Sequence, residues 1–120
     1  MIKDITLHQL LTHYAGFTGP DYQPAGRDET VRKIISSPLE FRPGKRFIYS
    51  NAGYSLLAAI LEIVSGESYE EFLNKHLFRP AGMYFTGYRL PNWEEKVVAH
   101  WYVGDKDNGT PLEKPYPLFQ

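Results

Sequence analysis

The sequence predicts a mainly α-helical chain with irregular loops and a short C-terminal β-hairpin. Three observations carry that expectation. Thr6-Leu7-His8-Gln9 and Ser68-Tyr69-Glu70-Glu71 have the spacing of capping boxes. The stretch Ala52 to Ser65 is dominated by apolar residues at no single face. Lys96 to Val103 is β-prone and leads into Asp107-Asn108-Gly109, a turn signal before a return strand at Thr110-Leu112.

Taken in order, Thr6 can accept from the backbone of the third helical residue while Gln9 reaches back, and Leu7, Leu10 and Leu11 form one stripe. A short helix over about 6–13 follows. Gly16, Gly19, Pro20, Pro24 and Gly26 break the next segment into a loop. Asp28 can cap a second helix that runs to about Ser36, since Pro38 prevents it from passing Ser37. Pro43-Gly44 reads as a tight turn, proline setting φ and glycine supplying the left-handed residue. Leu56, Leu57, Ala58, Ala59, Ile60, Leu61, Ile63 and Val64 then cover nearly the whole circumference of a helix, the pattern of a buried central one, and Gly66 ends it. Ser68 opens a further helix whose Phe72, His76 and Leu77 share a face, and Pro80 stops it. Pro115-Tyr116-Pro117 has no regular pattern, and no repeat is present.

The 120 residues fit one domain, 1–120. With 13 Lys+Arg against 14 Asp+Glu the chain has no general attraction for nucleic acid or anionic lipid. No apolar run approaches the ~20 residues of a membrane span, and Met1-Ile2-Lys3-Asp4 does not begin a signal peptide. Absence of cysteine excludes disulfides, thiolate metal sites and thiol nucleophiles, and leaves compartment undetermined.

Few residues invite chemistry. His8 and His13 lie about 140° apart around a helix and cannot share a metal, so both read as helix-face or capping residues. His76 falls on an apolar side and reads as a hydrogen-bonded core residue; His100 is isolated. The adjacent acids Glu70/Glu71 and Glu94/Glu95 diverge on a helix and read as solvated faces. Gly53-Tyr54-Ser55 and Gly66-Glu67-Ser68 lack the closing glycine of a nucleophile elbow. No metal ligand set and no cofactor motif is visible.

Tyr49-Ser50-Asn51 remains, just before the apolar helix. A phenol there can be held by the helix behind it, and Asn51 offers both a donor and an acceptor. A tyrosine moves protons near neutral pH when nearby positive charge lowers its ordinary value of about 10. Asn51 as a plain helix cap explains the same three letters.

The surroundings are more specific. Phe41-Arg42-Pro43-Gly44-Lys45-Arg46-Phe47-Ile48-Tyr49-Ser50-Asn51-Ala52-Gly53-Tyr54-Ser55-Leu56-Leu57 resembles the second catalytic motif of serine β-lactamase-like hydrolases. That superfamily includes class C β-lactamases, D-alanyl-D-alanine carboxypeptidases (penicillin-binding proteins) and esterases. The likeness continues through Ala59–Tyr69, Phe72-Leu73 and Leu77–Met83. Upstream, Ile5–His13 resembles the family's Leu-Leu-Thr-His segment, departing at Tyr14-Ala15-Gly16 where the family has a small hydroxyl residue and Ser-Gly. Residues 5–83 match well, and the rest more loosely to about 117.

The resemblance implies that Tyr49 is the general acid/base of the intact enzyme and that Asn51 orients substrate and the catalytic lysine. It also requires a Ser-x-x-Lys nucleophile helix and a Lys/His-Ser/Thr-Gly strand. No serine here is followed three residues later by lysine, and no Lys/His-Ser/Thr-Gly occurs. The chain therefore reads as the helical subdomain of a β-lactamase/transpeptidase-like α+β fold, lacking the main antiparallel sheet and inactive alone. Its implied partner is a small-molecule or peptide amide or ester substrate, without cofactor, with the cell envelope or periplasm as a family location. Uncovered apolar surface would favour a homodimer or swapped dimer. Two other readings stay open: a non-catalytic binding module derived from that fold, and one half of a split enzyme.

Overall fold

The computed structural model describes residues 2–19, 26–87, 94 and 98–110. Two compact units are built on Met1–Tyr69 and on Glu70–Leu118.

In the first unit a 3-10 turn (Ile2–Asp4) precedes α1 (Leu7–Leu11), α2 (Arg27–Ser36) and α3 (Asn51–Ser65). α1 starts with both halves of the expected box: Thr6 accepts from the Gln9 N–H at 3.2 Å, and Gln9 Oε1 accepts from the Thr6 N–H at 3.0 Å. It ends with His13 N–H donating to the Leu10 carbonyl and Tyr14 N–H to the Gln9 carbonyl. That is a Schellman ending with His13 in the left-handed position, φ 62°. The second helix begins two residues earlier than expected. Gly26, not Asp28, occupies its cap, and Asp28 instead sits in the first turn bonded to Arg27, where an acid still favours the helix dipole.

α1 and α2 both pack on α3. The core joins Leu10, Ala15, Phe17, Ile34, Ala52 and Leu56, flanked by Ile5, Val31, Leu39, Leu57 and Ile60. Phe17, 1% exposed, adds about 2–3 kcal/mol by leaving water. The segment between α2 and α3 is pinned to the α1–α2 loop. Glu40 N–H donates to the Gly16 carbonyl and Gly44 N–H to the Tyr14 carbonyl, while Lys45 N–H to Arg42 closes the expected Pro43-Gly44 turn. Gly16 is at φ +91°, and a Cβ there would stand 2.5 Å from the Phe41 carbonyl oxygen, so this crossing requires glycine.

α3 departs from the all-round burial expected of it. Ala52, Gly53, Leu56 and Ala59 are buried, but Ile63 and Val64 are 64% and 81% exposed. α1 and α2 cover only part of its circumference. Gly66 terminates it in the left-handed conformation as expected, and Glu62 joins Arg27 to the Tyr69 N–H.

The helix that follows is α4 (Tyr69–Leu73), continuing as one π-helical segment, Asn74–Phe78. It ends at Phe78 with Arg79 as its cap, immediately before Pro80, as expected. A proline lacks the N–H for the carbonyl four residues back and crowds that carbonyl, and the helix widens just before it. The turn beyond it closes with Gly82 N–H on the Arg79 carbonyl and Met83 N–H on the Phe78 carbonyl, Gly82 being left-handed. His76 is exposed and lies against the Phe72 ring, centroids 4.5 Å apart, which corrects its reading as a core residue.

The hairpin exists, with a different turn. β1 (Tyr102–Val103) pairs antiparallel with β2 (Lys106–Asp107) around Gly104-Asp105, Gly104 having positive φ. Asp107-Asn108-Gly109 is instead a bulge opposite Trp101, which bonds both Asn108 N–H and the Gly109 carbonyl. Of the expected strands, Lys96, Val97, Pro111 and Leu112 lie outside the described residues, as does Pro115-Tyr116-Pro117. The described chain is thus mainly helical with one two-stranded antiparallel sheet.

Candidate active site

Tyr49 and Asn51 flank the residue that caps α3. The cap is Ser50, not Asn51: its Oγ accepts from the buried Gly53 N–H at 3.0 Å, and its backbone is extended. Asn51 becomes the first helical residue, with its side chain exposed. Tyr49 is 67% exposed, outside the core. The structure therefore brings both candidates to one helix entry, on the surface.

What holds that entry is His13, expected only as a helix-face or capping residue. The imidazole of His13 accepts at Nδ1 from the Ser50 N–H, 3.1 Å, and the His13 carbonyl accepts from the Ile48 N–H, 3.0 Å. Its ring centroid lies 4.8 Å from that of Tyr49 and 5.0 Å from that of Tyr54, both tilted, and Phe47 meets it edge-on at 5.8 Å. Such ring pairs contribute about 0.5–1.5 kcal/mol each beyond area burial. Tyr54 in turn donates its hydroxyl to the Leu11 carbonyl at 3.0 Å, and Tyr14 packs on Phe47. The only advance signal for His13 was its place in the Leu-Leu-Thr-His segment.

The remaining candidates stay apart. His8 is exposed on α1, where its carbonyl receives the Thr12 N–H and hydroxyl. His100, read as isolated, bonds the Asp107 carboxylate at 2.8 Å, and Asp107 also accepts from Gly109 N–H and the Tyr102 hydroxyl. The Gly109 N–H and then His100 hold that carboxyl below its ordinary value. Among the described residues no group of three or more His, Cys, Asp or Glu could hold a metal ion, and no helix is long and apolar enough to cross a membrane.

Comparison with known proteins places the chain in a family. The family model described as Beta-lactamase matches residues 2–119. The chain is 36% identical over 115 residues to "Penicillin-binding protein 4*" of Bacillus subtilis, covering 85% of this chain and 25% of that protein. It is 47% identical over 81 residues to "Serine beta-lactamase-like protein LACTB, mitochondrial" of Mus musculus, covering 65% of this chain and 14% of that protein. A penicillin-binding protein crystal structure from Bacillus halodurans superposes with a TM-score of 0.68 at 29% identity, over 90% of this chain and 38% of that one. The chain thus spans about a quarter or less of the length of these curated relatives. With the family model running almost end to end and the same fold recovered in a solved relative, the chain belongs to the Beta-lactamase family, within the serine β-lactamase-like superfamily.

Proposed function

We propose that these residues form the helical part of a single serine hydrolase domain that cleaves amide or ester bonds through an acyl-enzyme, with Tyr49 carrying the proton and Asn51 orienting the substrate. The observation behind this reading is the joint placement of an exposed Tyr49 and an exposed Asn51 on either side of the Ser50 cap, at a ring-packed helix entry. A phenol held by its neighbours but open to solvent can meet a substrate without rearranging the core.

In that reaction a serine hydroxyl from another part of the domain adds to the substrate carbonyl carbon. Its proton is relayed through the Tyr49 hydroxyl to the departing amine or alcohol as the C–N or C–O bond breaks. Water then releases the acyl group. The Asn51 amide donates to the substrate and its carbonyl accepts from the lysine that orients the serine.

Because the nucleophile motif does not occur among the 120 residues, the chain alone is inactive: without the attacking group the other parts of a catalytic set retain little rate. The uncovered side of α3, with Ile63 and Val64, meets segments outside this chain in the intact domain, and pairs two copies when the chain is isolated. Nitrocefin and p-nitrophenyl acetate assays of the pure chain test the catalytic statement. Turnover is expected to equal that of Tyr49→Phe; turnover that depends on Tyr49 would overturn the inactivity.

A further inference from the structure

We infer that His13 is the positioning residue for Tyr49, a clamp that fixes both the chain around the phenol and the phenol ring. Its purpose rests on the reading of Tyr49 as the proton carrier; its geometry does not.

The two backbone amides on either side of Tyr49 both end on His13. Ile48 N–H goes to its carbonyl and Ser50 N–H to its ring nitrogen, at 3.0 and 3.1 Å. A third hold comes from the imidazole face against the Tyr49 ring at 4.8 Å. One residue thus determines where Tyr49 enters, where it leaves and how its ring is directed. The same imidazole registers α3. Ser50, whose N–H it receives, is the cap of that helix, and Tyr54 one turn inside lays its ring on it while bonding the end of α1.

The end of α1 does not itself ask for histidine. His13 fills the left-handed position of a Schellman ending, where glycine is the residue of least cost. A side chain there is disfavoured by the backbone, so the reason for an imidazole lies in what the ring touches. The Ser50 N–H also defines the tautomer: Nδ1 presents its lone pair, and the neutral ring carries its proton on Nε2.

Three substitutions separate the parts of the clamp. His13→Gly keeps the helix ending and removes the ring. His13→Asn tolerates the backbone and restores an acceptor without an aromatic face. His13→Phe restores a ring without an acceptor. Amide exchange and aromatic NMR of the chain are the readouts. His13→Gly is expected to lower protection of the Ser50 amide at least about tenfold and to shift the Tyr49 ring protons, with core amides such as that of Leu56 unchanged. His13→Asn recovers the Ser50 protection and His13→Phe the Tyr49 shift. Ser50 protection within twofold of the parent and an unmoved Tyr49 signal in His13→Gly would overturn the clamp. Should that variant not fold, the clamp falls if His13→Phe retains Ser50 protection.

A second measurement addresses purpose, in the hydrolase that carries these residues together with its serine. Displacement of Tyr49 by His13→Gly should slow acylation about 10- to 100-fold with KM nearly unchanged, and His13→Asn should recover much of it. If Tyr49→Phe leaves acylation intact, the proton-carrier reading fails while the NMR clamp stands. If Tyr49→Phe abolishes acylation and His13→Gly does not slow it, the positioning role fails instead.

Discussion

Replacing Ser50 by alanine tests how the helix entry is held. The Ser50 side chain makes one bond that matters, accepting from the Gly53 N–H at 3.0 Å, and both residues are buried. Alanine leaves that N–H without its partner where water does not readily reach it. Loss of a serine cap costs about 1 kcal/mol, and an unpaired buried amide raises this toward about 2 kcal/mol. For a unit of roughly this size each kcal/mol lowers Tm by about 4–8 °C, so Ser50→Ala should melt about 4–16 °C below the parent. Thermal unfolding by circular dichroism at 222 nm measures it, with Ser50→Asp as the restoring control because aspartate caps equally well. The Gly53 amide should also lose exchange protection in the alanine variant. A Tm within 1 °C of the parent and an unchanged Gly53 amide would refute the assignment of Ser50 as the cap.

Other expectations concern the same framework. Gly16→Ala combines a positive φ with a backbone oxygen 2.5 Å from the new carbon, so it should cost about 2–4 kcal/mol, whereas Gly66→Ala, with open space around it, should cost about 1 kcal/mol; urea unfolding ranks the two. Tyr49→Phe should alter stability by no more than about 0.5 kcal/mol in the same titration, because the side chain is mostly in solvent. In the hairpin, the folded value of Asp107 lies below its unfolded value, so its stabilisation is complete above the unfolded value of about 3.9 and is lost as pH falls through the folded value. The Gly109 amide, bonded to that carboxylate, should show its acid-induced NMR shift below about pH 4, and no shift between pH 5 and 2 would contradict it. Sedimentation of the chain should show concentration-dependent self-association, which substitution of Ile63 and Val64 by serine weakens; a concentration-independent monomer would contradict the pairing through α3.

Local chemistry made much of this fold readable. The Thr6–Gln9 box, the Pro43-Gly44 turn and the Gly66 ending each depend on a few neighbouring residues whose geometry admits few alternatives, and each formed where their types dictate. The second helix began two residues early because glycine can cap without a side-chain bond, a choice that composition does not distinguish from an aspartate cap. The hairpin turn moved because Asp107-Asn108-Gly109 serves a bulge as well as it serves a turn, and Gly104 was available nearby. For α3, hydropathy recorded a helix apolar all round, but burial depends on what surrounds it, and here two helices cover only part of it.

Legibility of the site divides similarly. Tyr49 and Asn51 stood out through the order of several segments and lie together because they are two residues apart at a helix entry. His13 escaped because its partners, Ser50 and Tyr49, are more than thirty residues away, and a left-handed histidine carries no periodic signature. Only tertiary structure joins them.

The most direct test of the whole account is acylation by a fluorescent penicillin or an activated ester in the hydrolase that carries these residues with its serine, followed by mass spectrometry in the parent and in Tyr49→Phe. Loss of a proton-transferring side chain predicts an acylation rate about 10²- to 10⁴-fold lower, with the protein still folded. An unchanged rate of acyl-enzyme formation in Tyr49→Phe would contradict the role given to this residue.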